Sequence, residues 1–156
     1  MLFQEDAKGG IRSRMATFYA AQMVTQDWVQ PGGGAHELFK ARSDIQNAGG
    51  LDIVTAYAVK RPDKCWSVLL INKDPSRSYN LRLRFERGGK DVPKQPGGPW
   101  DVVQFSSKEY VWHANGPNGF ASRSEPPAHR VVAVEGPGRF LLPPYSLTVV
   151  RSSASD

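Results

Sequence analysis

Short runs of apolar residues separated by turn-forming residues dominate this chain. Two of these runs, residues 53–59 and 66–71, are rich in Val, Ile, Tyr, Trp and Leu, and they flank the sequence Arg61-Pro62-Asp63-Lys64. Proline presets φ at the second turn position, and an aspartate at the third can hydrogen-bond to its own backbone. Since the flanking residue types suit a pleated, half-buried surface, the pattern predicts a β-hairpin in the middle of a sheet.

Residues 79–85, with the sequence YNLRLRF, alternate strictly between apolar and polar side chains. This period of two predicts a strand with one buried face and one solvated face. Further extended segments are predicted at residues 35–39, 100–105, 109–113, 131–134, 139–142 and 146–151. The Pro- and Gly-rich residues 115–127 are expected to form a long ordered loop or an edge excursion. About eight short strands at roughly 8–12-residue spacing are typical of an antiparallel β-sandwich.

One helix is predicted ahead of the strands, because residues 12–29 contain neither Gly nor Pro. Met15, Tyr19 and Met23 lie along one line of this helix. The adjacent line carries Ala16, Ala20, Val24 and Trp28. This apolar face is wider than one flank of a small sandwich requires. Pro and Gly at residues 31–34 end the helix.

The expected fold class is therefore mainly β, an antiparallel β-sandwich of about eight strands preceded by one N-terminal α-helix. Residues 1–10 are expected to be a frayed tail. The predicted organisation is an N-terminal tail and helix over residues 1–34 and a β-sandwich domain over residues 35–156.

The charge pattern changes this picture little. The 156 residues carry a formal net charge of +5, but Lys and Arg are scattered with no run of five. Nucleic-acid binding, through Arg82, Arg84 and Arg87, is the weakest of the functions considered. No apolar run approaches the roughly 18 residues of a membrane span. The first ten residues lack the basic start and apolar stretch of a signal peptide, which leaves cytoplasmic and exported locations both open for a parent protein.

Catalytic and metal-binding motifs are absent from the sequence. Cys65 is the only cysteine, so no internal disulfide can form. The three histidines, His36, His113 and His129, do not meet the spacing rules of zinc sites. Nucleophile-elbow, P-loop and dinucleotide-binding sequences do not occur. We therefore expect no catalytic residue, no metal and no cofactor.

Three aromatic residues are candidates for carbohydrate binding: Tyr110, Trp112 and Trp100. Aromatic rings that are exposed and coplanar can stack on sugars, although strand tryptophans more often fill the core. Glu109 and Glu125 flank the same aromatic stretch and could share a cleft. Solvated loop charges are the favoured interpretation of this pair.

Four stretches in a fixed order carry a family resemblance: DWVQPGGGAHELF, VTAYAVKRPDKCWSVLLINKDP, YVWHANGPNGFASRSEPP and FLLPPYSLTVVR. This order resembles the C-terminal part of retaining (β/α)8-barrel glycoside hydrolases, most like the family 39 group and its relatives. In those enzymes a β-sandwich packs on the side of the barrel. The resemblance covers residues 12–151, and it implies that residues 12–29 correspond to the last barrel helix.

The departure from that family concerns the catalytic machinery. A barrel takes about 250 residues, and the acid/base glutamate of those enzymes follows an asparagine, whereas this chain has no Asn-Glu dipeptide. The resemblance therefore implies a non-catalytic accessory domain of a glycoside hydrolase. Its expected partner is a catalytic barrel absent from this chain, or a second copy of the chain, contacted through the N-terminal helix. The alternative is a stand-alone carbohydrate-binding module that binds polysaccharide through exposed aromatic residues.

Overall fold

The computed structural model describes residues 1–87, 89–91, 98–116, 118–134 and 139–153. A helix, α1 (Ala16–Gln22), continues directly into a π-helical segment, Met23–Trp28. The strands are β1 (Phe3–Glu5), β2 (Ile11–Arg14), β3 (Glu37–Phe39), β4 (Val54–Lys60), β5 (Trp66–Asn72), β6 (Tyr79–Arg82), β7 (Glu86–Arg87), β8 (Lys90–Asp91), β9 (Gly98–Phe105), β10 (Tyr110–His113), β11 (Phe120–Ser124), β12 (Ala128–Val134), β13 (Arg139–Leu142) and β14 (Ser146–Ser152). The expected mainly β class with one helix is confirmed, with more strands than the eight predicted.

A six-stranded antiparallel sheet is the centre of the fold. Its strand order is β12-β9-β14-β5-β4-β3. The predicted central hairpin is confirmed, since β4 pairs with β5 from Val54 opposite Asn72 to Lys60 opposite Trp66. At the turn, the Lys64 amide donates to the carbonyl oxygen of Arg61 at 3.0 Å. Lys64 reaches this position in the left-handed region, at φ 67°.

Both faces of the central sheet are covered, which explains why its inner strands have continuous apolar sequences. Because side chains alternate along a strand, Val68 and Leu70 of β5 face one layer while Leu69 faces the other. The first layer is the two-stranded sheet of β6 and β13, which contributes Phe140 and Leu142 to the core. Strands buried on both sides lose the simple in–out alternation of a half-exposed sheet.

The opposite layer consists of the helix and the antiparallel pair β10–β11. Tyr19 and Met23 are buried against Leu69, Val103 and Val149 of the sheet. The helix therefore folds back onto the sandwich along the predicted line of every fourth residue. The second predicted line, with Ala16, Ala20, Val24 and Trp28, is only partly buried. The sandwich therefore covers only part of the wide apolar face of the helix.

Residues 1–10 do not form the expected frayed tail. Strands β1 and β2 pair as a hairpin, and the Asp6 carboxylate accepts hydrogen bonds from the Lys8 and Gly10 amides, each at 2.8 Å, to close its turn. The Met15 amide then donates to the carbonyl oxygen of Leu2 at 2.9 Å. Because this pairing holds residues 11–14 extended, the helix begins at Ala16 and not at residue 12.

Two further segments differ from their predicted structure. Residues 115–127 include a strand, β11, in which Phe120 pairs with His113 and Ser124 pairs with Tyr110. The predicted strand 79–85 ends at Arg82, although Leu83 and Phe85 continue the alternation by packing against the core.

Candidate functional site

The exposed side of the helix carries no charged residue. Its solvent-facing positions, which we call the helix face, are Thr17, Ala21, Gln22, Thr25 and Gln26. A helix side that faces water normally carries charged residues. Depletion of charge is instead characteristic of the central part of protein–protein interfaces. The helix face therefore shares the charge depletion of an interface core.

An apolar groove runs between the helix face and the N-terminal hairpin. It has a volume of about 270 Å³, and Leu2, Phe3 and Phe18 form its apolar wall. The rings of Phe3 and Phe18 lie 5.3 Å apart, and the Arg14 guanidinium lies 4.8 Å from the centre of the Phe18 ring. These contacts attach the hairpin to the helix, so the groove is built by two elements that are distinct in sequence.

The threonine hydroxyls of the helix face are already paired with backbone. Thr25 Oγ1 donates to the carbonyl oxygen of Ala21 at 2.8 Å, and Thr17 Oγ1 donates to that of Met1. Such local bonds satisfy the hydroxyl without a partner molecule. Covering these two residues therefore costs less desolvation than their polarity suggests.

Charged residues gather at the C-terminal end of the helix, below the helix face. Arg61 Nη1 donates to the carbonyl oxygen of Asp27 at 3.1 Å, and its Nη2 lies 3.0 Å from the Asp63 carboxylate. Burial raises the pKa of the Asp27 carboxyl above its usual value, although the nearby Arg151, His129 and Arg61 act in the opposite direction. This end of the helix is thus attached to the sheet by electrostatic contacts and not by apolar packing alone.

The structure does not bring the three predicted carbohydrate-binding residues to one surface. Trp100 is 1% exposed and lies 5.9 Å from the Phe140 ring, in the core between the central sheet and the β6–β13 layer. Tyr110 is 8% exposed and packs, with the half-buried Trp112, on the other side of the sheet. Neither Trp100 nor Tyr110 therefore presents the solvent-facing ring that stacking on a sugar requires. Carbohydrate binding by Tyr110, Trp112 and Trp100 stays a prediction.

An exposed aromatic pair on the β10–β11 ribbon was not predicted from the sequence. The rings of His113 and Phe120 stack with centroids 4.9 Å apart and an interplanar angle of 21°. Phe120 is 48% exposed, and His113 Nε2 lies 2.8 Å from Ser122 Oγ. Assigning residues 115–127 to a loop concealed this pair, because the two residues become neighbours only when β11 pairs with β10.

No acid/base or nucleophilic arrangement is formed by the candidates considered from the sequence. The Glu109 carboxylate accepts from the Ser106 amide and hydroxyl, each at 2.8 Å, and so stabilises the turn before β10. Burial, with a contribution from Asp63, raises the pKa of the Cys65 thiol, which disfavours the reactive thiolate. Among the described residues, no group of three or more His, Cys, Asp or Glu is placed to hold a metal ion. No helix in the described part of the chain is long and apolar enough to cross a membrane.

The chain shows distant structural likeness to parts of larger enzymes. No protein-family model matches it, and no curated protein matches it significantly. It is similar to CelM2, a bifunctional glucanase-xylanase from a metagenome library, with 21% identity and a TM-score of 0.46 over 67% of this chain and 16% of that one. It is also similar to the thermostable GH51 alpha-L-arabinofuranosidase from Thermotoga petrophila RKU-1, with 9% identity and a TM-score of 0.43 over 67% of this chain and 20% of that one.

A third similar structure is the GH51 arabinofuranosidase from Xanthomonas axonopodis pv. citri, with 16% identity and a TM-score of 0.44 over 75% of this chain and 21% of that one. This chain thus spans between 16% and 21% of the length of the three enzymes. At these TM-scores the likeness by itself assigns neither a family nor an activity. The family 39 resemblance remains a prediction from the sequence.

Proposed function

We propose that this chain is a non-catalytic accessory β-sandwich domain of a glycoside hydrolase, which packs through its helix face against a catalytic barrel outside this chain. The sequence resemblance supplies the class of enzyme. The observation that carries the docking role is the uncharged helix face beside an apolar groove of about 270 Å³. The work of the domain is then to stabilise the barrel and to shape the surface near its substrate.

The helix divides its surface between two roles in this proposal. Tyr19 and Met23 hold it to the sandwich, while the helix face and the groove remain available to a partner. Removing apolar area from water contributes roughly 25 cal/mol per Å². Leu2, Phe3 and Phe18 would supply most of the apolar area on this side. A barrel helix seated along the groove would cover this apolar area. The helix face beside it carries no charge that would have to be buried.

The test begins with the coding sequence around this chain. A barrel encoded upstream of Met1 would be expressed separately and mixed with the chain, and the mixture should show a higher melting temperature of the barrel. The variant A21E/T25E places two charges on the helix face and should abolish the stabilisation. The matched variant K40Q/K73Q lowers the net charge by the same two units at exposed residues outside the groove and should preserve it. A barrel that gains no stability from the wild-type chain, or coding sequence that contains no barrel, contradicts the proposal.

Absence of catalysis is tested on the chain alone. Chromogenic xylosides and arabinosides should show no hydrolysis above the uncatalysed rate, because no acid/base pair has been assigned in it. Turnover that persists through repurification would show that the chain is an enzyme in its own right.

A second candidate function is carbohydrate binding by the β10–β11 ribbon, and the exposed stack of His113 on Phe120 favours it. Trp112, which lies half-buried on the same ribbon, could extend this surface on local rearrangement. Affinity electrophoresis on xylan and cellulose should then show retardation that F120A removes and W100F leaves unchanged, since Trp100 is buried. Equal mobility of the wild-type chain with and without polysaccharide argues against this function.

A further inference from the structure

Two arginines lie directly opposite each other on the outer face of the β6–β13 sheet. Arg139 pairs with Arg82 in the register of the two strands, and Leu141 pairs with Asn80 at the next outward position. All four residues are exposed, whereas Phe140 and Leu142 from the same strand are buried. Because directly opposed residues share a face and have Cβ atoms roughly 5 Å apart, the two arginine side chains leave the sheet side by side.

This juxtaposition is unfavourable for the isolated fold. Like charges directly opposite destabilise a strand pair, whereas an Arg–Glu pair in the same place would contribute about 0.2–1 kcal/mol. Within the described residues, neither Arg82 nor Arg139 makes an ion pair or a hydrogen bond through its side chain. The positive charge therefore remains available on a surface where the fold does not require it.

Core packing explains why the two arginines point outward but not why both are arginine. Phe140 lies opposite Leu81, and both contribute to the core. This inward pair determines the register of β6 and β13, so residues 82 and 139 must share the outer face. Any polar residue would satisfy that requirement. The choice of two cations is thus independent of the packing.

We infer that the Arg82–Arg139 pair is a binding site for the carboxylates of an acidic polysaccharide, one that contains uronic acid residues. Each guanidinium presents a planar set of donors that matches a carboxylate with two parallel hydrogen bonds. Binding an anion between the two groups also removes their mutual repulsion. The choice of a polysaccharide rests on the proposed association with a glycoside hydrolase.

The neighbouring side chains fit a sugar polymer better than a nucleic acid. Asn80 offers an amide to sugar hydroxyl groups, and Leu141, 46% exposed, offers an aliphatic surface to a sugar ring. Single-stranded nucleic acids are usually held by exposed aromatic rings that stack on bases, and the outward positions of β6 and β13 carry none. Arg82 also lines a cleft of about 60 Å³, on which Arg42 and Asp44 place one charge of each sign.

The experiment measures binding of the intact chain to polygalacturonate, to its fully methyl-esterified form and to a single-stranded oligonucleotide. Esterification removes the carboxylates and keeps the sugar backbone, so the inference expects binding to the acid form only. Since hydrogen bonds to charged groups are individually strong, R82Q/R139Q should weaken binding to polygalacturonate by about tenfold or more. K8Q/K40Q removes the same charge from other exposed positions and should change the affinity by less than about twofold, because an ammonium group does not form the two parallel hydrogen bonds of a guanidinium–carboxylate pair.

A stability measurement separates a binding site from a structural role. R82Q/R139Q should keep or raise the melting temperature, since it relieves the opposed charges. The inference is overturned by equal losses of affinity in the two double variants, by equal binding of the acid and ester polymers, or by no binding. Tighter binding of the oligonucleotide would assign the pair to nucleic acid. None of these results bears on the helix face, so a failure here is distinct from a failure of barrel docking.

Discussion

Arg61 Nη1 donates a hydrogen bond to the backbone carbonyl oxygen of Asp27 over 3.1 Å and thereby attaches the end of the helix to the β4–β5 turn. The same guanidinium lies 3.0 Å from the Asp63 carboxylate of that turn. Arg61 is only 8% exposed. A single buried cation therefore joins the layer that carries the helix face to the hairpin at the centre of the sheet.

Replacing this guanidinium should loosen the helix end. R61M keeps an apolar stem of similar length but removes both contacts, and we expect a loss of about 1–3 kcal/mol in the free energy of unfolding. Urea denaturation measures this loss. R12M removes an exposed arginine that forms no ion pair or side-chain hydrogen bond with the described part of the chain, and it should change the stability by less than about 0.5 kcal/mol. Equal effects of the two substitutions would show that the Arg61 contacts contribute nothing.

Lys64 occupies a backbone conformation that favours glycine. Its φ of 67° lies in the left-handed region, which costs a non-glycine residue roughly 1–2 kcal/mol. K64G should therefore stabilise the chain, by less than that amount because glycine also gains freedom in the unfolded state. Thermal unfolding compares it with K73G, where glycine should be neutral or destabilising. A lower melting temperature for K64G than for K73G contradicts the prediction.

Acid should destabilise the loop before β6 through Asp74. Hydrogen bonds from the Ser76 amide, the Tyr79 hydroxyl and the Arg77 amide lower the pKa of the Asp74 carboxyl from 3.8 to about 2. Since the folded pKa is the lower one, the unfolded chain binds more protons between these values. The stabilisation is complete above pH 3.8 and is lost as the pH falls towards 2.

Urea denaturation of D74N across this pH window tests the assignment. D74N should be less stable than the wild type at neutral pH, and the difference should shrink as the pH falls. Y79F removes one of the four hydrogen bonds to this carboxylate, and its stability should lie between those of the wild type and D74N. A difference between wild type and D74N that stays constant down to pH 2 would exclude Asp74 as the titrating group.

Gly119 allows Trp112 to pack against the β10–β11 ribbon. A Cβ atom at this position would lie 2.6 Å from Trp112 Cζ2 and 3.3 Å from the carbonyl oxygen of His113. G119A should therefore displace the indole, at a cost of about 1–3 kcal/mol. Tryptophan emission should shift to the red as the ring becomes more exposed. G33A, where a Cβ meets nothing within 4 Å, should leave the emission unchanged, and identical spectra for both variants would contradict the contact.

The elements predicted correctly are those whose signals are local. The turn between β4 and β5 follows from Pro62 and Asp63, and the strand at residues 79–82 follows from strict alternation. The helix was found because its apolar residues recur at four-residue spacing. Its start was misplaced, since the residues before Ala16 pair with β1, and helix propensity carries no information about such a partner.

The features that the sequence did not predict depend on contacts between residues far apart along the chain. Gln4 Nε2 donates to the carbonyl oxygen of Gly119 at 2.8 Å, a contact between residues 115 positions apart. It joins the N-terminal hairpin, which was not predicted, to the β10–β11 ribbon, of which only the strand β10 was predicted. The exposed His113–Phe120 stack and the Arg82–Arg139 pair likewise exist only because particular strands pair in a particular register.

Taken alone, the sequence determined the class of fold, the central hairpin and the lack of a recognisable catalytic motif, because each depends on residue type and on spacing along the chain. The tertiary structure decided which aromatic rings are buried, which side of the helix stays uncharged and open, and which arginines stand opposite each other. The physical reason is that exposure depends on the layer that covers a face of the sheet. That layer comes from segments far away along the chain.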